Sequence, residues 1–251
     1  MPGTPQVALA GLLLVVAAAL SWKKRLHLEK DFLWGGLRMG VQLVVLGLVL
    51  QWIFTHPHPL LIIGAAVLMS MNAGLHSTSR VKHRYPGLIT QNLLTTFLAV
   101  WPLSAIGVFL LAPNHPLDAA TLLPLLGMVL GNALNGITLG LDHYTETLKE
   151  RQDHVTALIA LGATPAEATH SIHRQALRKA LTPVFNSMYA CGIISIPGMM
   201  TGQMLAGAAP LPAAIYQFII MVLISCGGFL GAFIGLKLCE RKHFDARGAL
   251  C

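Results

Sequence analysis

The chain has 251 residues, of which 55% are hydrophobic and 11% are charged, and its mean hydropathy is +0.66. A water-soluble domain needs a more polar surface, so this composition indicates a chain that is solvated mostly by lipid. The formal net charge of +7 indicates membrane topology and attraction to anionic lipid headgroups, and nucleic acid is not an expected partner.

Seven apolar runs approach the roughly 20 residues that a helix needs to cross the hydrocarbon core. In chain order they are 5–21, 33–54, 60–77, 88–111, 120–141, 184–206 and 213–237. The first is short and the third carries polar residues, so six spans remain an alternative. Basic residues follow the first run, which is the reverse of a secretory signal peptide.

The basic residues give these runs an orientation. With seven spans and the N-terminus outside, all 17 Lys and Arg residues fall on one side of the membrane, which the positive-inside rule assigns to the cytoplasm. The C-terminus then also lies in the cytoplasm. The sequence therefore predicts an all-α polytopic membrane protein with about seven transmembrane helices in a single domain, 1–251.

Residues 142–182 form the only long polar segment, between spans five and six. Their pattern predicts a helix over 144–161 that ends at Gly162, because glycine is the usual residue for a left-handed C-terminal cap. A second amphipathic helix is expected to follow directly. This rigid helix–elbow–helix projection suits docking to a cytoplasmic partner, and the alternative is that it shields the membrane surface.

The start of the second helix has a specific signature. Thr164, Pro165 and Glu167 have the order of a capping box with proline at the first helical position. The helix is expected to end at Pro183, where the sixth span opens. The elbow residues assigned to coupling with a partner are Leu161, Gly162, Ala163, Thr164, Pro165 and Glu167.

The segment SIPGMMTGQM at 195–204 interrupts the sixth apolar run. Pro197 and Gly198 are predicted to kink or unwind the helix, and freed carbonyls are tolerated at membrane depth only against protein or a water-filled cavity. Gly198 and Gly202 form a Gly-x-x-x-Gly pair that lets another helix approach closely, and we favour packing as the role of such glycines. Further pairs occur at 36/40, 136/140, 227/231 and 231/235.

The same segment carries three methionines, at positions Met199, Met200 and Met204. Thioethers are soft ligands that suit Cu(I), whereas iron and aluminium prefer oxygen or imidazole, so the cluster supports hard-metal binding poorly. We favour the interpretation that these methionines are adaptable apolar filler in a segment that repacks. Gln203 adds a polar group that would line a cavity if it faces inward.

Asn132 and Asn135 are the polar amides of the fifth run. Amides in a span usually face the bundle interior, where they either bond helices together or line a pathway. Gln42 and Asn72 deserve weaker attention for the same reason. No acidic residue lies deep in any run, which counts against a proton-coupled carrier. The candidate substrate pathway is therefore Asn132, Asn135, Met199, Met200 and Gln203.

The chain has 11 histidines, but their positions in the sequence indicate no metal or catalytic site. His56, His58 and His115 lie in short outer loops, where contact with an exiting metal ion is the alternative to a plain turn role. His170 and His173 share a helix face, but no third ligand is evident, so solvation at the surface is expected. No Ser/His/Asp order or His-Glu-x-x-His motif occurs, and the chain is not expected to be an enzyme.

Four segments together carry a resemblance to a known family. They are LEKDFLW at 28–34, GMVLGNAL at 127–134, LGATP at 161–165 and SIPGMMTG at 195–202. In this order they resemble the FetB family of bacterial ABC permeases, which are described as iron exporters and have plant relatives linked to aluminium tolerance. The spacing of Gly162 and Ile172 is also similar to that in the coupling loop of ABC importer permeases.

This resemblance implies the membrane subunit of an ABC exporter of metal ions, iron in particular, in the bacterial inner membrane. It implies a homodimer of permeases with separate cytoplasmic ATPase chains. The chain contains no Gly-x-x-x-x-Gly-Lys-[Ser/Thr] loop, so ATP-Mg is expected on the partner and no cofactor on this chain. The alternatives are a stand-alone carrier or channel, a permease for a small organic or sugar-nucleotide substrate, and a membrane scaffold.

Overall fold

The computed structural model describes residues 4–56, 58–82, 85–114 and 118–244. Within these ranges the regular structure is nine α-helices, and a single isolated bridge joins Cys191 to Ser195. The predicted all-α architecture is therefore confirmed for the described residues. The chain divides into two compact units, Met1–His58 and Pro59–Cys251.

The first unit is a hairpin of two helices, α1 (Thr4–Lys23) and α2 (Glu29–Thr55). Ser21 Oγ stabilises the turn by accepting a hydrogen bond from the Leu28 backbone N–H at 3.0 Å. The first turn of α2 carries two acidic residues, which favour a helix N-terminus electrostatically. Most of the apolar surface of α2 is exposed, as a helix in contact with lipid requires.

The second unit contains the remaining described helices. They are α3 (Pro59–Arg80), α4 (Leu88–Leu111), α5 (Ala119–Glu150), α6 (Gln152–Ala160), α7 (Pro165–Ala190), α8 (Gly198–Leu205) and α9 (Pro210–His243). The central helix is α5, which packs along α3, α4, α7 and α9. Its fully buried residues recur at helical spacing, as an interior helix face requires: Leu126, Val129, Ala133, Ile137, Leu141 and Tyr144.

Helices α5 and α9 come into backbone contact at a pair of glycines. A Cβ placed on Gly136 would lie 2.8 Å from the carbonyl oxygen of Gly228, so no larger residue fits unless a helix moves. A Cβ placed on Gly231 would lie 3.2 Å from the Ile137 side chain and 3.4 Å from the carbonyl oxygen of Ala133, which is a less severe approach. The predicted packing role of the glycine pairs is thus confirmed at 136/140 and 227/231.

Five of the described helices are long and apolar enough to cross a membrane: α2, α3, α4, α5 and α9. They coincide with five of the seven predicted runs, which fits a polytopic membrane protein. The apolar part of α1, Leu9–Lys23, is shorter than a span. The run 184–206 is divided between two helices. Seven uninterrupted spans are therefore not found among the described residues.

The predicted start of a separate helix at Tyr144 is wrong. Helix α5 continues from the fifth apolar run to Glu150, and the next helix begins only at Gln152. No glycine or proline separates Leu141 from Tyr144, and both side chains are fully buried. The buried face therefore extends beyond the apolar run and keeps the helix continuous.

The predicted helix end at Pro183 is also wrong, because α7 continues through it to Ala190. Proline removes one backbone hydrogen bond and crowds the preceding turn. Here Thr182 Oγ1 donates to the Arg178 carbonyl at 2.8 Å, and α7 packs along both α5 and α9. Tertiary packing thus outweighs the local cost of the proline.

The elbow between α6 and α7 has the predicted caps. Gly162 has φ +96°, and its N–H donates to the Ile159 carbonyl at 2.9 Å. Thr164 Oγ1 accepts from the Glu167 N–H at 3.3 Å, while Glu167 Oε2 accepts from the Thr164 N–H at 2.8 Å. Val155 and Ile172 anchor the two helices in the buried core. The elbow is therefore a defined rigid turn.

Thr164→Ala is expected to loosen the first turn of α7 at a cost of about 1 kcal/mol, because the cap of the Glu167 N–H is lost. Hydrogen–deuterium exchange should then be faster in that turn.

Hydrogen bonds from Thr164 lower the pKa of the Glu167 carboxyl. The contribution of the carboxylate to stability is therefore present above the ordinary carboxyl pKa and is lost as pH falls through the lowered value.

The matched control for this prediction is Thr156→Ala. Thr156 is exposed inside α6, and its hydroxyl donates only to the Gln152 carbonyl of the same helix, at 2.9 Å. Exchange in the first turn of α7 should be unchanged in this variant. Equal acceleration in both variants would contradict the assigned role of the capping box.

Candidate functional site

The chain is non-helical from 191 to 197, between the end of α7 and the start of α8. Gly192, at φ +86°, turns the chain, and its N–H donates to the Ser195 carbonyl at 2.9 Å. Pro197 occupies the N-cap position of α8, which begins at Gly198. The helix break is therefore wider than the Pro-Gly pair to which the sequence points.

A cavity of about 240 Å³ lies beside this break, where α5, α7, α8 and α9 meet. We call it the Asn132 cavity. Its walls include Asn132, Met199 and Gln217. Asn132 is half-buried, and its Nδ2 donates to the Met128 carbonyl at 2.9 Å, which orients the amide. The cavity thus combines a few polar amides with apolar walls, as ligand sites commonly do.

A second cavity, of about 520 Å³, adjoins the first, and we call it the Met200 cavity. The two cavities share Pro197, Gln217 and Met221 in their walls. Four sulfur-containing side chains line the Met200 cavity. They come from α7, α8, α9 and the turn between α7 and α8: Met188, Cys191, Met200 and Met221. Neither cavity has a charged side chain in its described lining.

Gln217 is the residue of this site that the sequence interpretation missed. It is only 6% exposed, and its Oε1 has no hydrogen-bond partner among the described residues. A buried amide oxygen without a partner is costly, so such a group in a cavity wall is a candidate ligand contact. Its signal in the sequence is its isolation, since it is the only amide in an otherwise apolar stretch of α9.

The structure brings together some of the predicted pathway residues and not others. Asn132 and Met199 line the first cavity, and Met200 lines the second. Asn135 is exposed and Gln203 is half-buried, and neither lines either cavity. The pathway residues in these walls are therefore Asn132, Met199 and Met200, with Gln217 added.

The two glycines of the α8 pair are open on this chain. Ideal Cβ atoms on Gly198 and Gly202 would meet nothing within 4 Å, in contrast to the glycines between α5 and α9. Gly198 lines the Asn132 cavity, and Gly202 is exposed on α8. Within the described chain, no other helix therefore approaches closely at either glycine.

The expectation that His173 is solvated at the surface is wrong. His173 is 9% exposed, and its Nδ1 lies 3.7 Å from Glu240 Oε2 on α9. Burial lowers the pKa of His173, and the Glu240 carboxylate opposes that effect. His170 is exposed, and no group of three or more His, Cys, Asp or Glu residues arranged to hold a metal ion occurs among the described residues.

Neither His56 nor His58 belongs to such a group. His56 stacks on Trp52, with ring centroids 5.6 Å apart. His115 lies outside the described residues.

The elbow forms the other candidate surface. Leu161 is 85% exposed at its tip, and Gly162, Thr164 and Glu167 are exposed beside it. An exposed leucine on a rigid turn suits insertion into an apolar pocket of a partner. Ala163 and Pro165 are half-buried and support the turn.

Lys82, in the loop between α3 and α4, forms ion pairs within the chain. Its Nζ lies 3.9 Å from Asp142 and 3.6 Å from Glu146, and its backbone N–H donates to Asp142 at 3.1 Å. This loop is therefore fastened to α5. Arg84, in the same loop, lies outside the described residues.

Long apolar helices and short connections define a multi-pass membrane protein, and the cavities lie at a break between two of its helices. The chain belongs to the family described as "Uncharacterised protein family (UPF0014)", which it matches over residues 4–244. This membership confirms the resemblance to the FetB family.

The chain is similar to curated proteins over nearly its full length. It is 30% identical to "Probable iron export permease protein FetB" of Escherichia coli (strain K12), covering 97% of this chain and 93% of that protein. It is 32% identical to "UPF0014 membrane protein slr1647" of Synechocystis, covering 94% and 91%. It is 30% identical to "Protein ALUMINUM SENSITIVE 3" of Arabidopsis thaliana, covering 97% and 88%. No solved structure gives a significant match.

Proposed function

We propose that this chain is the permease subunit of an ABC transporter that exports metal ions from the cytoplasm. It works as a homodimer in the bacterial inner membrane, with the N-terminus outside and the C-terminus in the cytoplasm. ATP-Mg is bound and hydrolysed by separate ATPase chains. Iron is the first substrate to test, because the Escherichia coli relative is named as a probable iron export permease.

One structural observation carries this proposal: a single helix links the elbow to both cavities. Helix α7 has 26 residues and starts directly at the Thr164 cap. At 1.5 Å per residue it is about 39 Å long. Its distal end contributes Val184 and Ser187 to the Asn132 cavity and Met188 to the Met200 cavity. A push on the elbow is therefore delivered directly to the cavity walls.

The mechanism follows from this connection. Closure of the ATPases on ATP moves the elbow, and α7 transmits the movement as a rod because its buried face packs along α5 and α9. The segment 191–197 has few helical hydrogen bonds to break, so it takes up the displacement and opens the cavities to the far side. Irregular backbone of this kind is tolerated in a membrane where it lines a cavity.

ATPase activity of the reconstituted complex tests the proposal. The chain and its candidate ATPase, placed together in proteoliposomes, should bind each other and show ATP hydrolysis that a metal ion stimulates. A complex whose hydrolysis responds to no substrate would favour the scaffold. Stimulation by a small organic molecule or sugar nucleotide would replace the metal. Transport without any ATPase would establish the stand-alone carrier or channel.

Asn132→Leu is expected to lower the transport rate on the order of tenfold, because it removes the amide from a cavity wall. The control is Asn135→Leu, one turn further along the same helix but exposed and outside both cavities. That change should leave the transport rate unchanged. The measurement is the initial transport rate at equal protein content. An equal loss of rate in both variants would contradict the assignment of Asn132 to the pathway.

A further inference from the structure

The two cavities contain an unusual concentration of sulfur. The chain has ten methionines. Five of them line the cavities: Met128, Met188, Met199, Met200 and Met221. They come from α5, α7, α8 and α9, so the gathering is made by the fold and not by one methionine-rich stretch. The sequence shows only the α8 members, for which apolar filler is a sufficient explanation.

The Met200 cavity adds a thiol and an amide oxygen to its thioethers. Cys191 is a free cysteine, half-buried at the start of the turn between α7 and α8. Gln217 contributes the buried Oε1 that has no hydrogen-bond partner among the described residues. Met188 Sδ lies 3.2 Å from Ser225 Oγ on α9, a hydroxyl that also lies 2.7 Å from the Met221 carbonyl oxygen.

We propose that the Met200 cavity binds a soft monovalent cation, Cu(I), for which Ag(I) is the probe. The ligands are the thioethers of Met188, Met200 and Met221, the thiolate of Cys191 and, as an oxygen contact, Gln217. Binding releases the thiol proton to water, and the Cu(I)–thiolate pair that remains carries no net charge. A neutral pair suits a cavity that offers no other charged side chain.

The donor set distinguishes this ion from iron. Thioether and thiol sulfurs select Cu(I), whereas iron also calls for imidazole or carboxylate groups, and neither lines the Met200 cavity. A divalent ion bound to the same single thiolate would keep one uncompensated positive charge beside the apolar wall, which is costly. The inference that Cu(I) is exported rests on the proposed function, whereas the inference that Cu(I) binds does not.

Binding to the isolated permease tests the site without any ATPase, so its failure is distinct from failure of the transport proposal. The full chain in detergent, kept reduced and free of oxygen, is titrated with Cu(I) against a coloured competing chelator. One ion per chain should bind, with sulfur neighbours in its X-ray absorption spectrum. Ag(I) should raise the unfolding temperature, because a ligand bound only to the folded state stabilises it.

Near-isosteric variants locate the site. Met200→Leu and Met221→Leu should each weaken Cu(I) binding at least about tenfold. Met204→Leu, in the same short helix but outside both cavities, should leave it unchanged. Cys191→Ser should weaken binding, and Cys226→Ser, at another free cysteine, should not.

Three results would overturn the assignment. The first is the absence of stoichiometric Cu(I) binding by the folded wild-type chain. The second is equal affinity in Met200→Leu, Met221→Leu and wild type, which would place the ion elsewhere. The third is tight Fe(II) binding that is lost in these leucine variants while Ag(I) gives no thermal shift.

Discussion

Leu161→Asp is expected to abolish metal-stimulated ATP hydrolysis by the complex while leaving the permease folded. Leu161 is 85% exposed, so the carboxylate costs the isolated chain little. In a docked complex the same position would hold an unpaired charge in an apolar pocket. Loss of such an anchor weakens an interface by on the order of 2 kcal/mol, which is about thirtyfold in Kd.

The control for this variant is Gln152→Asp. Gln152 is exposed at the opposite end of α6, where an acidic residue suits the helix N-terminus. Co-purification and ATP hydrolysis should match wild type. Full stimulation in Leu161→Asp would mean that the ATPase docks elsewhere, and the role assigned to the elbow would be wrong.

Gly136→Ala is expected to produce the largest loss of stability among single methyl additions in α5. The new Cβ would lie 2.8 Å from a backbone oxygen of α9, which cannot move aside as a side chain can. Overpacking of this kind costs about 1–3 kcal/mol. Thermal unfolding in detergent should show a lower midpoint and a smaller yield of folded protein.

Gly131→Ala provides the matched comparison in the same helix. A Cβ at Gly131 would meet nothing within 4 Å, and alanine favours the helix by up to about 1 kcal/mol over glycine. Its midpoint should equal or exceed that of wild type. If the two variants unfolded at the same temperature, the close approach of α5 and α9 would be contradicted.

The elbow could be predicted from the sequence because its residues act on their nearest neighbours. Gly162 supplies a positive φ, and Thr164 and Glu167 cap each other within a single turn, so no distant contact is required. The five long apolar helices could be predicted for a similar reason. Composition over about 20 residues already decides whether a helix prefers lipid.

The remaining features depend on tertiary contacts that no local pattern records. Pro183 stays helical because the buried face of α7 packs against both α5 and α9. His173 is buried against the rings of Tyr144 and Phe233, and Glu240, 67 positions away, lies 3.7 Å from its Nδ1. Gln217 looks like any isolated polar residue in a span until α8 and the 191–197 turn enclose it.

The direct test of the proposed function is ATP-dependent metal movement. Inverted vesicles containing the permease and its ATPase are supplied with ATP in the outer solution, and accumulation of Fe(II) or Cu(I) inside is followed with time. We expect accumulation that requires ATP hydrolysis and is lost in Leu161→Asp. Metal accumulation that is unaffected by removal of ATP or of the ATPase chain would contradict the account.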